Sequence, residues 1–140
     1  MKYSAAVIDT NVVVAGLLTG NAESPTARIL DGMREAAFRF LLSTALLAEY
    51  REVLLRKKIR ALHALSEAGV DVILTVIAAN AIIREPEAQT GAPDPKDNHL
   101  WALLQSEANT VLVTGDRALT INPPPKSDVL QPREFVALLS

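Results

Sequence analysis

The chain contains no cysteine. That absence removes disulfides, thiolate metal sites and cysteine nucleophiles together, and it fits a reducing compartment. Aromatic residues make up only 4% of the 140 residues, so the core must be aliphatic and stacking platforms for single-stranded nucleic acid are few. No apolar run reaches the roughly 20 residues that span a bilayer. The longest, Val70 to Ile83, is interrupted by Asp71 and Asn80. Lys2 before an apolar stretch imitates the start of a signal peptide, but Asp9, Thr10 and Asn11 break that stretch and no cleavage site follows. The expectation is a soluble, cytoplasmic protein without a membrane partner. A broad excess of basic charge is also missing: the net charge is −2. This argues against strong sequence-blind binding to nucleic acid, though not against a substrate held through bound metal and a local basic patch. There is no GxSxG, P-loop or GxGxxG pattern, and His63 and His99 lack the spacing of a zinc site.

What remains is a globular composition, 49% hydrophobic and 21% charged. With no repeat, low-complexity tract or linker, residues 1–140 read as a single domain. Short apolar runs predict strands at Ala5–Ile8, Phe38–Leu42, Ala81–Arg84, Thr110–Thr114 and, at an edge, Val129–Leu130. Helical patterns fall between them. They cover Val12–Leu18, a segment from Pro25 to about Ala37 behind the N-cap Ser24, and one from Ser43 to about Lys57. Others cover Arg60–Glu67 and Val70–Asn80 with Gly69 between them, then Pro95–Ala108, Asp116–Ile121 and Arg133–Leu139. Such βα alternation predicts a parallel sheet covered by helices on both faces.

Four acids stand out. Asp9 and Asp116 follow the two most convincing strands, at the C-terminal ends where α/β folds collect ligands. Each also has an ordinary explanation as a turn or N-cap residue. Glu49 lies on the flank of the apolar stripe Leu46, Leu47, Tyr50, Val53 and Leu54, whereas Glu52 falls opposite it and reads as a solvated acid. Asp97 heads the row Leu100, Trp101, Leu104 and Ala108, which a helix would turn toward the core. Asp94, followed by Pro95, reads as a cap. A carboxylate heading a buried row needs a partner, and four acids aimed at one place repel unless a cation joins them. The pattern therefore suggests a divalent metal site. Arg51, Arg56, Lys57, Lys58 and Arg60, with His63, form a basic group around the end of the Glu49 helix. They read first as a solvated face complementing the helix terminus and second as an RNA-backbone contact.

The segments Val7-Ile8-Asp9-Thr10-Asn11-Val12, Leu42-Ser43-Thr44-Ala45-Leu46-Leu47-Ala48-Glu49, Asp94-Pro95-Lys96-Asp97-Asn98 and Leu112-Val113-Thr114-Gly115-Asp116, with Val129 to Phe135 as a closing strand and helix, resemble the PIN-domain family, especially its VapC-like toxins. The resemblance implies a three-layer, Rossmann-like α/β/α sandwich with a mostly parallel central sheet. It implies Asp9, Glu49, Asp97 and Asp116 as a catalytic cluster binding Mg²⁺ or Mn²⁺, with Thr10, Asn11 and Thr114 in support. It further implies a ribonuclease acting on single-stranded RNA, a homodimer and a cognate antitoxin. Many relatives carry another acid or polar residue just after the fourth acid; Arg117-Ala118-Leu119 offers none, which leaves one ion or two open. It also keeps alive a catalytically weak or inert PIN-like module that binds RNA or a protein. A phosphohydrolase using Asp9 as nucleophile would need a second acid two residues on, where this chain has Asn11.

Overall fold

Residues 1–139 are described by a computed structural model. Strand β1 (Ala5–Ile8) and strand β4 (Thr110–Val113) are each buried at every position, as expected of parallel strands covered on both faces. They pair in register, Ala5 with Thr110 through Ile8 with Val113, and β5 (Asp128–Leu130) joins the outer side of β4. Strands β2 (Leu41–Leu42) and β3 (Ile82–Ile83) form a second parallel pair, and a bridge between Ala6 and Phe40 ties it to β1. The order is therefore β3-β2-β1-β4-β5, all parallel. The chain steps outward from β1 in one direction, then crosses back to build on its other side.

The connecting helices are α1 (Thr10–Leu18), α2 (Pro25–Arg34), α3 (Thr44–Leu54), α4 (Lys57–His63), α5 (Glu67–Asn80), α6 (Asn98–Gln105), α7 (Arg117–Ile121) and α8 (Pro132–Ala137). The result is the three-layer α/β/α sandwich expected of the alternation. The core is aliphatic, with Tyr3, Phe40, Tyr50, Trp101 and Phe135 as its aromatic members. Helices α1 and α2 cross closely at Gly16, where a Cβ would meet the Thr26 carbonyl oxygen at 2.5 Å. Among the described residues no single helix is long and apolar enough to cross a membrane.

Several boundaries depart from the sequence reading. The expected helix to Lys57 ends at Leu54, and Lys57–His63 is a helix of its own. The break between α4 and α5 falls at Ala64, in the left-handed region at φ 57°, and Gly69 lies inside the first turn of α5. Helix α2 stops before Ala36, which also has positive φ. Phe38–Leu42 contracts to two paired residues and the bridge at Phe40. The segment Pro95–Ala108 divides into a 3-10 turn, Pro95–Asp97, and the helix α6.

Candidate active site

The order β3-β2-β1-β4-β5 reverses between β1 and β4, and a reversal of this kind opens a crevice at the strands' C-terminal ends. Asp9 is the residue after β1 and the N-cap of α1, with no loop between them. Its side chain is buried and held on both oxygens. Oδ2 accepts from the Thr114 hydroxyl at 2.7 Å and the Asn11 amide at 3.2 Å, and Oδ1 accepts from the Thr10 backbone N–H at 2.8 Å. Thr114, itself fully buried at the end of β4, also accepts from the Asn11 amide at 3.3 Å and from the Asp116 N–H at 3.0 Å. Its one donor and two acceptor positions are thereby filled. Asn11 completes the lattice by accepting from the Gly115 N–H at 3.0 Å. The side chain two residues after Asp9 is thus a structural tie between the β1 and β4 ends, which further weakens a phosphohydrolase role. Asp116 is exposed and caps α7 through the Ala118 N–H at 2.9 Å.

The opposite wall is built by α3 and α6. Glu49 is half-buried, as its flank position required; the Thr10 hydroxyl donates to its Oε2, and His99 Nε2 stands 3.6 Å from its Oε1. Tyr50, the next residue, donates its buried hydroxyl to the Ile8 carbonyl and fixes α3 against the end of β1. Asp97 sits where the 3-10 turn meets α6. Leu100, Trp101 and Leu104 behind it are buried, but Asp97 is only partly so. Among the described residues its carboxylate accepts no hydrogen bond, while Asp94 caps the turn through the Lys96 N–H at 3.0 Å. The acid heading the core row therefore does lack a protein partner.

Electrostatics separate these acids. Burial pushes the Asp9 carboxyl up, Thr114 and Thr10 pull it down, and the charges of Glu49 and Asp116 push it up again. Asp97 is raised to about 6, first by burial and then by Asp9, Asp94, Glu49 and Asp116. Glu49 is lowered, principally by the neighbouring His99 imidazole, against the effect of burial. Asp97 thus stands within electrostatic reach of the other three acids. Among the described residues, however, no three His, Asp or Glu side chains already meet at metal-holding separations. The donors are nonetheless suited to a hard divalent cation: all are carboxylate oxygens, and Asp97 has neither a cationic partner nor a hydrogen bond.

His99 escaped the sequence reading because an isolated histidine carries no spacing signal. Its neighbour Glu49 lies 50 positions earlier, on another helix. Its Nδ1 is buried and has no hydrogen-bond partner among the described residues. A proton on Nε2, facing Glu49, with none on Nδ1 leaves only an acceptor orphaned, which costs less than an orphaned donor.

The basic group divides. Arg51 binds Glu67 and Asp71 and clamps α3 to α5, and Arg56, at the bend between α3 and α4, pairs with Glu52 of α3 at 3.2 Å. Lys57, Lys58 and Arg60 are exposed on α4 and form no ion pair among the described residues. His63 bridges the Leu54 carbonyl and the Leu65 N–H, a structural role at the α3–α4 corner.

No curated protein matches the chain. A family model for the PIN domain does, over residues 5–118, from the first residue of β1 to just past Asp116. PIN domains are generally nucleases, and they typically use divalent metals. With Asp9, Glu49, Asp97 and Asp116 all inside the matched segment and the sheet reversing between the first and last of them, the chain belongs to the PIN-domain family.

Proposed function

We propose that the protein is a metal-dependent endoribonuclease that hydrolyses phosphodiester bonds of single-stranded RNA and leaves a 5′-phosphate. The observation that carries this reading is the uncompensated acid at the sheet reversal: Asp97 has no hydrogen-bond donor and a carboxyl raised to about 6. Asp9, Asp97 and Asp116 would hold Mg²⁺ or Mn²⁺, with Glu49 as a further ligand or as the group that orients the attacking water. Such an ion supplies charge neutralisation at the phosphate and lowers the barrier to forming the nucleophile.

The chain's own residues supply the positioning. Thr114 and Asn11 fix the direction of Asp9 Oδ2. Thr10 and His99 hold Glu49 ionised, able to accept a hydrogen bond from water aligned opposite the leaving 3′ oxygen. Lys57, Lys58 and Arg60 would meet the RNA backbone; Arg51 and Arg56 are already paired and would contribute less. Ribonuclease assays on Asp9→Asn and Asp116→Asn test the proposal, with loss of metal-dependent cleavage expected in both. Cleavage unchanged in both variants would sink it.

In biological role we infer the toxin of a toxin–antitoxin pair, acting in the cytoplasm as a homodimer whose antitoxin covers the cleft; the resemblance to VapC-like toxins supports this. A small antitoxin-like reading frame beside this one would agree with that role, and its absence would count against it. One observation favours the second reading, a weak or inert PIN-like module that binds RNA or a protein: the acids do not stand ready at metal-holding separations. Calorimetry with Mn²⁺ decides between them, since no binding at millimolar metal leaves the inert module.

A further inference from the structure

The loop after β3, with the first turns of α3 and α6, borders a half-open cavity of about 210 Å³ beside the candidate cleft. His99 forms part of its wall and stands 3.6 Å from Glu49, so the cavity and the acids share a side chain. Sites that enclose drug-sized ligands run to roughly 300–1,000 Å³; this one suits a single ring system. Ala45 and Ala102 supply apolar walls, and Glu85, Gln89 and Asn98 supply the polar groups.

The charge of the lining selects what can enter. No lysine or arginine lines the cavity, and Glu85 brings a carboxylate. A phosphate would be repelled, while a flat neutral base would not. The polar groups are also only partly used. Glu85 Oε1 accepts from both the N–H and the hydroxyl of Thr44, at 2.7 and 2.5 Å, which anchors the loop to the start of α3 and leaves Oε2 without a hydrogen bond among the described residues. The Asn98 carbonyl accepts from the Ala92 N–H at 3.1 Å, so its amide N–H groups remain. Free acceptors on an anchored carboxylate match the exocyclic amino group of a base, the pairing by which acids read cytosine. Bases of single-stranded RNA are unstacked easily enough to be read on their edges.

We propose that this cavity receives a nucleobase bearing an exocyclic amino group, from the nucleotide flanking the scissile phosphate, and that Glu85 determines the specificity. The proposal rests on the ribonuclease reading for the identity of the strand, but its test does not depend on cleavage. Adenosine, cytidine and uridine pentaribonucleotides are titrated into the metal-free protein, with anisotropy for affinity and NMR of the Gln89 and Asn98 side-chain amides for location. The adenosine and cytidine pentamers bind about tenfold more tightly than the uridine pentamer and shift both amides. Glu85→Gln keeps a carbonyl for Thr44 and turns the free acceptor into a donor, so the preference shrinks or reverses toward uridine, whose O4 accepts. Ala88→Trp, at an exposed loop position on the cavity wall, abolishes the preference by filling the space. Equal binding of all three pentamers, or a preference unchanged in Glu85→Gln, overturns the proposal. An amino-base preference in a protein that cleaves no RNA supports the site while the ribonuclease reading fails; cleavage without base preference has the opposite meaning.

Discussion

The two walls of the cleft are built on different principles. On the sheet side, Asp9, Asn11, Thr114 and the backbone of residues 115–116 form a closed lattice in which the Thr114 hydroxyl has no unused capacity. On the helical side, among the described residues, Asp97 accepts no hydrogen bond and His99 keeps a buried nitrogen without a partner. A buried polar lattice specifies geometry when it is complete, and unsatisfied groups cost stability. The sheet wall is therefore finished by folding alone, while the helical wall keeps polar groups that the described residues do not satisfy.

The largest test of this contrast is Thr114→Val, nearly isosteric at a fully buried site. It removes a hydrogen bond to a buried carboxylate and the acceptor of the Asp116 N–H, so a loss of about 2–3 kcal/mol is expected in urea unfolding. Asn11→Ala, at an exposed position in the same lattice, should cost about 1 kcal/mol by the same measurement. Asp97→Asn should act in the opposite direction on the metal-free protein and raise its melting temperature at pH 7, while removing any stabilisation gained from added Mn²⁺. A fall on mutation would mean that Asp97 has a structural partner after all.

The pH dependence carries the same sign. The Asp97 carboxyl lies at about 6 when folded, against 3.8 for its unperturbed value. Between these values the folded state holds the extra proton, so its contribution to stability falls as pH rises through the window and levels off above it. Asp9, also raised, acts in the same sense, and Glu49, lowered, acts in the other. Unfolding midpoints in chelator from pH 4 to 7 should show a slope that flattens in Asp97→Asn. The smallest effect is expected from Asp94→Ala. It loses a cap worth about 0.5–1 kcal/mol and removes one of the charges raising Asp97, whose carboxyl should titrate lower by NMR.

The sheet wall was also the legible one. Strands β1 and β4 are continuous apolar runs because both their faces are covered, and the acid that follows such a run can be placed from spacing alone. Ser24 and Ser43 marked their helix starts through side-chain caps. The helical wall depends on contacts with no local signature. The α3–α4 break has neither proline nor glycine, and Ala64 takes a left-handed conformation usually reserved for glycine, so Gly69 drew the boundary to the wrong place. Glu85 anchors the start of α3 from 41 positions away, and His99 becomes meaningful only beside Glu49. Asp97 was the exception. Its helical offsets placed it at the head of a core row before any contact was known; Leu100, Trp101 and Leu104 are buried as expected, while Ala108 lies past the end of α6 and is exposed.

Ile8 ends β1, Asp9 follows, and Thr10 begins α1; likewise Leu42 ends β2, Ser43 follows, and Thr44 begins α3. A joint with one residue has no slack. Neither helix can tilt without dragging its strand, so these two junctions cannot serve as hinges. The chain between Ile83 and Pro95 is different, since residues 84–94 span the gap from β3 to the turn that carries Asp97. That stretch has the length that the two joints lack. An inserted residue should accordingly be tolerated within 84–94 and ruinous between Ile8 and Thr10.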